Sequence, residues 1–313
     1  MTNNKTRNKK TRKNKESLFG IDDCNRPKRN TKKLFIFGNR STSKNRKRIK
    51  GGKFNKFILF AHDLGQTKHG VDKAVPYIAK FIKRDKINVK ITNDLYKNIN
   101  ALYKANDSFA EKRINVGGDH SMSIATIAHT LNKYPDAKVV YFDAHADINT
   151  YKSSKSKHYH GMPLSFVTGL NSDKRFPFIK EKLGFDNLLY IGSRCWDPYE
   201  VNEVYKHNIK FLEPDEINKN FKASMEKILS FVGDSPIHVS FDVDSIDPKY
   251  IPSTGTPVKN GIELTNGIKI LDALNKRNLV NMDITELNMD LGTKNDGIKS
   301  GKNTVKLFKH FLD

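Results

Sequence analysis

From about residue 54 onward, short apolar runs alternate with longer stretches in which apolar residues recur at helical spacing. The runs predict strands over 57–61, 87–91, 113–116, 138–142, 188–191, 209–212, 237–241 and 279–284. The intervening periodicity predicts helices over 71–84, 121–133, 216–231, 264–277 and 302–312, with Ser121 as the N-cap of the second. Regular strand–helix alternation means parallel strands joined by right-handed crossovers. Val139, Val140, Tyr141 and Phe142 leave no polar face, as expected where helices cover both sides of a sheet. The pattern therefore predicts an α/β fold, a three-layer α/β/α arrangement around a central, mostly parallel sheet of about eight strands. An eight-stranded barrel has similar alternation and stays open at this point. No internal repeat and no Gly/Ser linker interrupts residues 54–313, which read as one domain.

Before residue 54 the pattern is absent, and charge replaces it. Residues 1–50 hold 18 Lys and Arg against Glu16, Asp22 and Asp23, a net +15, so only +7 of the chain's +22 falls on the other 263 residues. With almost no apolar residue before Leu18, this segment cannot bury enough surface to offset its ordering entropy. Residues 1–53 are predicted to be a basic, disordered N-terminal extension. Non-specific binding to polyanions fits its charge. The alternative is a nuclear-targeting or nucleic-acid signal in Lys9-Lys10-Thr11-Arg12-Lys13 or Arg46-Lys47-Arg48. The apolar patch at 34–37 is expected to dock on the body or to form an edge strand.

Some classes drop out. No run approaches the ~18 apolar residues that span a bilayer, and no stretch has the order of a secretory signal. Cys24 and Cys195 form no C-x-x-C pair, so neither a disulfide framework nor a thiolate zinc site is expected. A reducing, cytoplasmic setting fits best.

Ligands of open parallel sheets bind at the carboxyl ends of the strands. Three predicted strands are followed there by chemistry-bearing residues. Gly117-Gly118-Asp119-His120-Ser121 follows the third strand, Asp143-Ala144-His145-Ala146-Asp147 the fourth, and Asp242-Val243-Asp244-Ser245-Ile246-Asp247-Pro248 the seventh. A spacing of two aims alternate side chains the same way along extended backbone. Carboxylates packed so tightly repel one another unless cations lie between them. Four carboxylates and two imidazoles without a thiolate form a hard, mixed set that suits Mn²⁺, with Co²⁺, Fe²⁺ or Zn²⁺ able to enter. Six side chains suit two ions sharing a bridging water better than one.

These three segments, in this order, resemble the three signatures of the ureohydrolases, the family of arginases and agmatinases. The similarity covers roughly 57–313, beginning with a weaker match at Leu64-Gly65-Gln66-Thr67-Lys68-His69-Gly70-Val71. The resemblance implies two Mn²⁺ per subunit held by His120, Asp143, His145, Asp147, Asp242 and Asp244, with Asp119 supporting its neighbour. It implies hydrolysis of L-arginine to L-ornithine and urea; agmatine or another guanidino compound is the alternative substrate. In arginases an Asn, a Ser and a second Asn bind the substrate α-carboxylate. Asn149 and Ser156 match, His158 replaces the second Asn, and Lys157 replaces a neighbouring Gly and adds positive charge. Asp197 and Glu200 match the positions that hold the α-ammonium, with Cys195 where an acidic residue is common. His160 matches the proton shuttle, Glu286 the carboxylate that pairs with the guanidinium, and Thr256 a pocket-lining residue. Asp147 is expected also to orient the attacking water. A trimer or hexamer is expected by the same resemblance. A dinuclear phosphoesterase shares the metal logic, but its Gly-Asn-His and Gly-His-x-His segments are absent from the sequence.

Overall fold

The strands of the chain are β1 (Lys56–Phe60), β2 (Lys86–Asn88), β3 (Arg113–Gly117), β4 (Lys138–Phe142), β5 (Leu188–Ile191), β6 (Lys210–Leu212), β7 (Ile237–Asp242) and β8 (Leu279–Thr285). They form one sheet in the order β2-β1-β3-β8-β7-β4-β5-β6, every pair parallel. The computed structural model that defines them describes residues 56–108 and 112–313. The sheet is open, with β2 and β6 at its edges, which settles the fold against a barrel. The basic extension at 1–53, its candidate signals and the 34–37 patch lie outside the described residues.

Both faces are covered, and for that reason the strands read as unbroken apolar runs. Phe57, Leu59, Val140, Phe142, Val239 and Phe241 belong to one buried cluster, under α1 (Ala74–Ala79), α7 (Phe221–Val232), α8 (Leu264–Asn275) and α9 (Lys294–Leu312). Ile58, Phe60, Val139 and Tyr141 belong to the other, under α2 (Leu95–Asp107), α3 (Ser123–Lys133) and α4 (Pro163–Thr168). Odd and even positions of one strand thus feed different cores, as the pleat requires. Two further helices, α5 (Pro198–Lys206) and α6 (Pro214–Lys219), flank β6 in sequence.

Helix boundaries depart from the pattern where capping decides them. The 216–231 stretch is two helices, α6 and α7, because the backbone of Asn220 leaves the helical region between them. The last helix begins at Lys294 instead of 302, opened by a capping box between Thr293 and Asp296. Gly297 and Gly301, weak helix formers, hid that first turn; they let α9 press against Met289 and Tyr77. The 71–84 stretch holds a 3₁₀ turn and then only the short α1. Ser121 is not the N-cap of the helix after β3. Asp119 caps a 3₁₀ turn at His120–Met122, accepting from the Ser121 N–H at 3.0 Å, and α3 follows from Ser123.

The topology places the chemistry. Strands β3 and β4 are consecutive in sequence, yet β8 and β7 lie between them. The chain therefore changes direction across the sheet there, and the carboxyl ends of these four strands frame a crevice of the kind that binds ligands.

Candidate active site

Each of the four central strands delivers residues into that crevice. Beyond β3, Gly118 passes so close to the chain that a Cβ there would lie 1.8 Å from the His62 carbonyl oxygen. Its own carbonyl accepts from the Glu286 N–H at 2.8 Å, tying the β3 exit to the β8 exit. Asp119 then fixes the turn, accepting from Gly65 N at 2.8 Å and from Ser121 N. Its role is to hold backbone, and it touches none of the expected ligand side chains within hydrogen-bond distance. His120 emerges buried, with Nδ1 3.1 Å from Asp143 Oδ2, 3.1 Å from Asp147 Oδ2 and 3.5 Å from Asp242 Oδ2.

Beyond β4, Asp143 turns one oxygen to the His145 N–H at 2.6 Å. Its other oxygen, Oδ2, is buried without a hydrogen-bond partner. His145 Nδ1 lies 3.0 Å from Asp244 Oδ2 and 3.3 Å from Asp143 Oδ1. Beyond β7, Asp242 accepts from Asp244 N at 2.7 Å, and Asp244 accepts from Ala144 N at 2.9 Å. All six expected ligands thus converge. Five of them form two overlapping groups, His120–Asp143–Asp242 and Asp143–His145–Asp244, that share Asp143, and Asp147 joins through its 3.1 Å contact with His120 Nδ1.

The electrostatics state what such a cluster needs. Burial, with Asp147 and Asp244 adding repulsion, pushes the Asp143 carboxyl up to about 7. Asp242 is raised well above the carboxylate range by burial and by Asp244 and Asp143. Asp244, although buried, is held down to about 2 by His145, the Ala144 N–H and Arg194. Carboxylates that resist ionising beside one another, and a buried oxygen without a donor, are the donor set of a cation site.

Glu286 sits over this cluster. Its Oε1 accepts from His120 N at 2.8 Å and lies 3.3 Å from His160 Nδ1; its Oε2 accepts from Gln66 Nε2 at 2.8 Å. Burial lowers the affinity of His160 for a proton, but the Glu286 carboxylate outweighs it and the His160 pKa is raised. Glu286 and Asp147 both adopt positive φ, +67° and +50°. Non-glycine residues rarely do so, and such conformations concentrate at functional sites.

The outer residues divide. Asn149 Nδ2 donates to Asp197 Oδ2 at 2.9 Å, and Asn149 Oδ1 accepts from Ser153 Oγ at 2.9 Å. Ser156 is exposed, its Oγ accepting from the His158 N–H at 3.3 Å, and the rings of His158 and His160 are 5.8 Å apart. Thr256 Oγ1 donates to Asp244 Oδ2 at 3.4 Å. Glu200 is different from expectation. It is buried, and its two oxygens accept from Asp197 N at 2.9 Å and Ile148 N at 3.2 Å, within a capping box that opens α5. It braces the Asn149 turn and the Asp197 helix start together. Lys157 takes φ +63°, which explains why glycine suits that position. Its Nζ is spent on the carbonyls of Tyr151 and Lys152, at 2.6 and 3.4 Å, so its charge stays with the loop backbone.

Four further residues carry weight that sequence reasoning did not assign. Gln66 holds Glu286, and Lys68 donates to the Gly255 carbonyl beside it. Burial lowers the Lys68 pKa, with Glu286 opposing. The Tyr141 hydroxyl donates to Asp147 Oδ2 at 2.9 Å, and its ring stacks on His120 at 4.7 Å. Ser240 Oγ lies 2.8 Å from His120 Nε2. Gln66 and Lys68 fell within a recognised segment; Tyr141 and Ser240 looked like ordinary strand interior.

Comparison with known proteins agrees with this geometry. A family model described as Arginase family matches residues 79–311. The arginase of Neurospora crassa is 36% identical over 252 residues, covering 75% of this chain and 70% of that protein. Arginase-1 of Mus musculus is 31% identical over 279 residues, covering 77% of this chain and 86% of that protein. The crystal structure of Entamoeba histolytica arginase in complex with L-ornithine matches with a TM-score of 0.76 at 27% identity, over 84% of this chain and 99% of that one. A matched family model, relatives above 30% identity and a shared fold agree with the His/Asp cluster found in this chain: it is a hydrolase and belongs to the arginase family.

Proposed function

We propose that the chain hydrolyses L-arginine to L-ornithine and urea, with two Mn²⁺ ions held by His120, Asp143, His145, Asp147, Asp242 and Asp244. The observation that carries this reading is the pair of overlapping groups sharing a buried Asp143, with Glu286 bonded to the His120 N–H beside them. The hard O/N donors suit Mn²⁺. When bound, the two ions supply an activated water and a positive field at the guanidinium carbon.

The chain's own residues do the rest. Glu286, held by Gln66 and by the His120 N–H, pairs with the guanidinium and orients it over the cluster. Asn149, Ser156 and His158 donate to the α-carboxylate. Asp197 accepts from the α-ammonium, and Glu200 keeps Asp197 and Asn149 at a fixed separation through its two backbone hydrogen bonds. Thr256 lines the pocket against Asp244. Asp147, anchored by Tyr141, orients the attacking water. Nδ1 of His160 faces Glu286, leaving Nε2 to deliver the proton to the departing amine; the raised pKa keeps that proton available near neutrality.

The same reading takes the protein as a cytoplasmic homo-oligomer, a trimer or hexamer, whose basic extension binds polyanions. Its support is family resemblance and charge. Among the described residues no helix is long and apolar enough to cross a membrane.

The test is urea release from L-arginine and, in parallel, agmatine by Mn²⁺-loaded protein, with and without a chelator. Chelator-sensitive urea from arginine is expected, and His145→Ala should lose both metal and nearly all turnover. Urea from agmatine alone would overturn the substrate, and unchanged metal content in His145→Ala would overturn the ligand set.

A further inference from the structure

A row of buried polar side chains crosses the middle of the sheet. Register sets Asn115 of β3, Asp283 of β8, Ser240 of β7 and Tyr141 of β4 side by side, all fully buried. Buried polar atoms are costly unless each finds a partner. Here α3 supplies the partners. Asp283 Oδ1 accepts from Asn115 Nδ2 at 2.9 Å. Its Oδ2 accepts from Ser123 Oγ at 3.0 Å and Thr126 Oγ1 at 2.5 Å, and faces His238 Nε2 at 3.1 Å. Burial pushes this carboxyl up, but His238, Thr126 and Ser123 outweigh it and hold it below the ordinary carboxylate range.

An ionised carboxylate only accepts, and that fact gives the row a direction. Ser123 has one hydroxyl hydrogen, and it goes to Asp283. In its 2.8 Å contact with Ser240 Oγ, Ser123 must therefore accept, so Ser240 donates. With its hydrogen spent, Ser240 accepts in the 2.8 Å contact with His120 Nε2, and Nε2 must carry a hydrogen. Nδ1, which faces Asp143, Asp147 and Asp242 and lies 3.2 Å from the Tyr141 hydroxyl, is then the nitrogen left to take an ion in place of a proton. Were the row reversed, Nδ1 would carry the hydrogen and could not take an ion.

We infer that Asp283 is a positioning residue for the metal centre, acting through Ser123 and Ser240 to fix the His120 tautomer that binds metal; the inference rests on the metal reading proposed above. An apolar residue at 283 would fill the same space under α3, so packing alone gives no reason for a buried carboxylate there. Outer partners that orient a ligating histidine commonly change metal affinity by about 10- to 100-fold.

The experiment uses the full chain, stripped of metal and titrated with Zn²⁺ against a competing chelator. Ser123→Ala and Ser240→Ala each break the row while leaving the His120 and Asp283 side chains themselves unaltered. Each should weaken the site that includes His120 by about 10- to 100-fold. The double variant should lose no more than the worse single, because one chain is broken once. Ser123→Thr, which keeps the hydroxyl, should restore the affinity. In the diamagnetic Zn²⁺-loaded protein, the His120 Nε2–H proton resonance should move upfield in Ser123→Ala, a change that loss of packing elsewhere would not produce. Wild-type binding with unchanged affinity in both single variants, or losses that add in the double, would overturn the inference. Failure of the unaltered protein to bind Zn²⁺ at all would overturn the metal reading, and this inference with it.

Discussion

The side-chain amide of Asn149 donates a 2.9 Å hydrogen bond to the carboxylate of Asp197. These are the two residues on which the proposed function hangs opposite ends of the substrate's amino-acid group. Their pairing holds donor and acceptor side by side. It also links two loops, after β4 and after β5, that have no sequence proximity.

That pairing makes the two substrates diagnostic. Asn149→Ala removes a donor to the α-carboxylate, an interaction with a charged group worth about 1.5–3 kcal/mol. KM for L-arginine should rise by about 10- to 100-fold. Agmatine, which has no carboxylate, should be turned over with unchanged kcat/KM. Asp197→Ala should weaken both substrates, since both keep an ammonium. Equal losses on both substrates in Asn149→Ala would show that this residue only shapes the loop.

Gly118 tests how rigidly the β3 exit sets His120. A Cβ at 118 meets the His62 backbone oxygen at 1.8 Å, and backbone cannot step aside. At Gly117 the Cβ meets the Met122 sulfur, the end of a flexible side chain. Gly118→Ala should therefore displace the turn, lower stability by about 1–3 kcal/mol and reduce bound metal per chain. Gly117→Ala should keep most of both. Elemental analysis and thermal unfolding of the two variants give the comparison, and equal behaviour would sink the argument.

His129 gives a pH-dependent stability remote from the catalytic cluster. Its ring is buried on α3, 3.3 Å from Arg113 Nη1, and its pKa is lowered to about 3, by burial first and then by Arg113 and Lys133. The folded pKa lies below the unfolded value of about 6.5, so the unfolded state binds the proton more readily. The stabilisation is complete above pH 6.5 and is lost as pH falls towards 3. Between pH 6.5 and 4 the loss should be on the order of 3 kcal/mol, at about 1.4 kcal/mol per pH unit. His129→Gln should flatten this part of the stability–pH curve. A variant whose acid limb runs parallel to the unaltered protein's would refute the assignment.

Much of this protein is legible along the chain because its determinants are local. An unbroken apolar run such as 139–142 is possible only where both sides of a strand are covered, so the layered α/β class follows from periodicity. The three motif segments follow their strands directly, so the expected ligands meet at the carboxyl ends of neighbouring strands, although Asp244 lies in a 3₁₀ turn and Asp147 takes a positive φ where extended backbone was expected. Capping, by contrast, turned on single side chains: Asp119 took the place expected for Ser121, and Thr293 opened the last helix early.

What only the tertiary structure decided is which residues become neighbours across distances no local rule can span. Asp283 lies 160 residues from Ser123, Gln66 lies 220 from Glu286, and Asn149 lies 48 from Asp197. Along the sequence, Ser240 and Asp283 are single polar positions alternating with apolar ones, and Glu200 is one acid near a helix start. Parallel pairing of β8 with β3 and β7 aligns the polar positions into a row, and burial then forces every one of them to find a hydrogen-bond partner. Residue types and spacings set the chemistry available to this chain; strand order and register determined which of those groups touch, because hydrogen bonds and charges act over only a few ångströms.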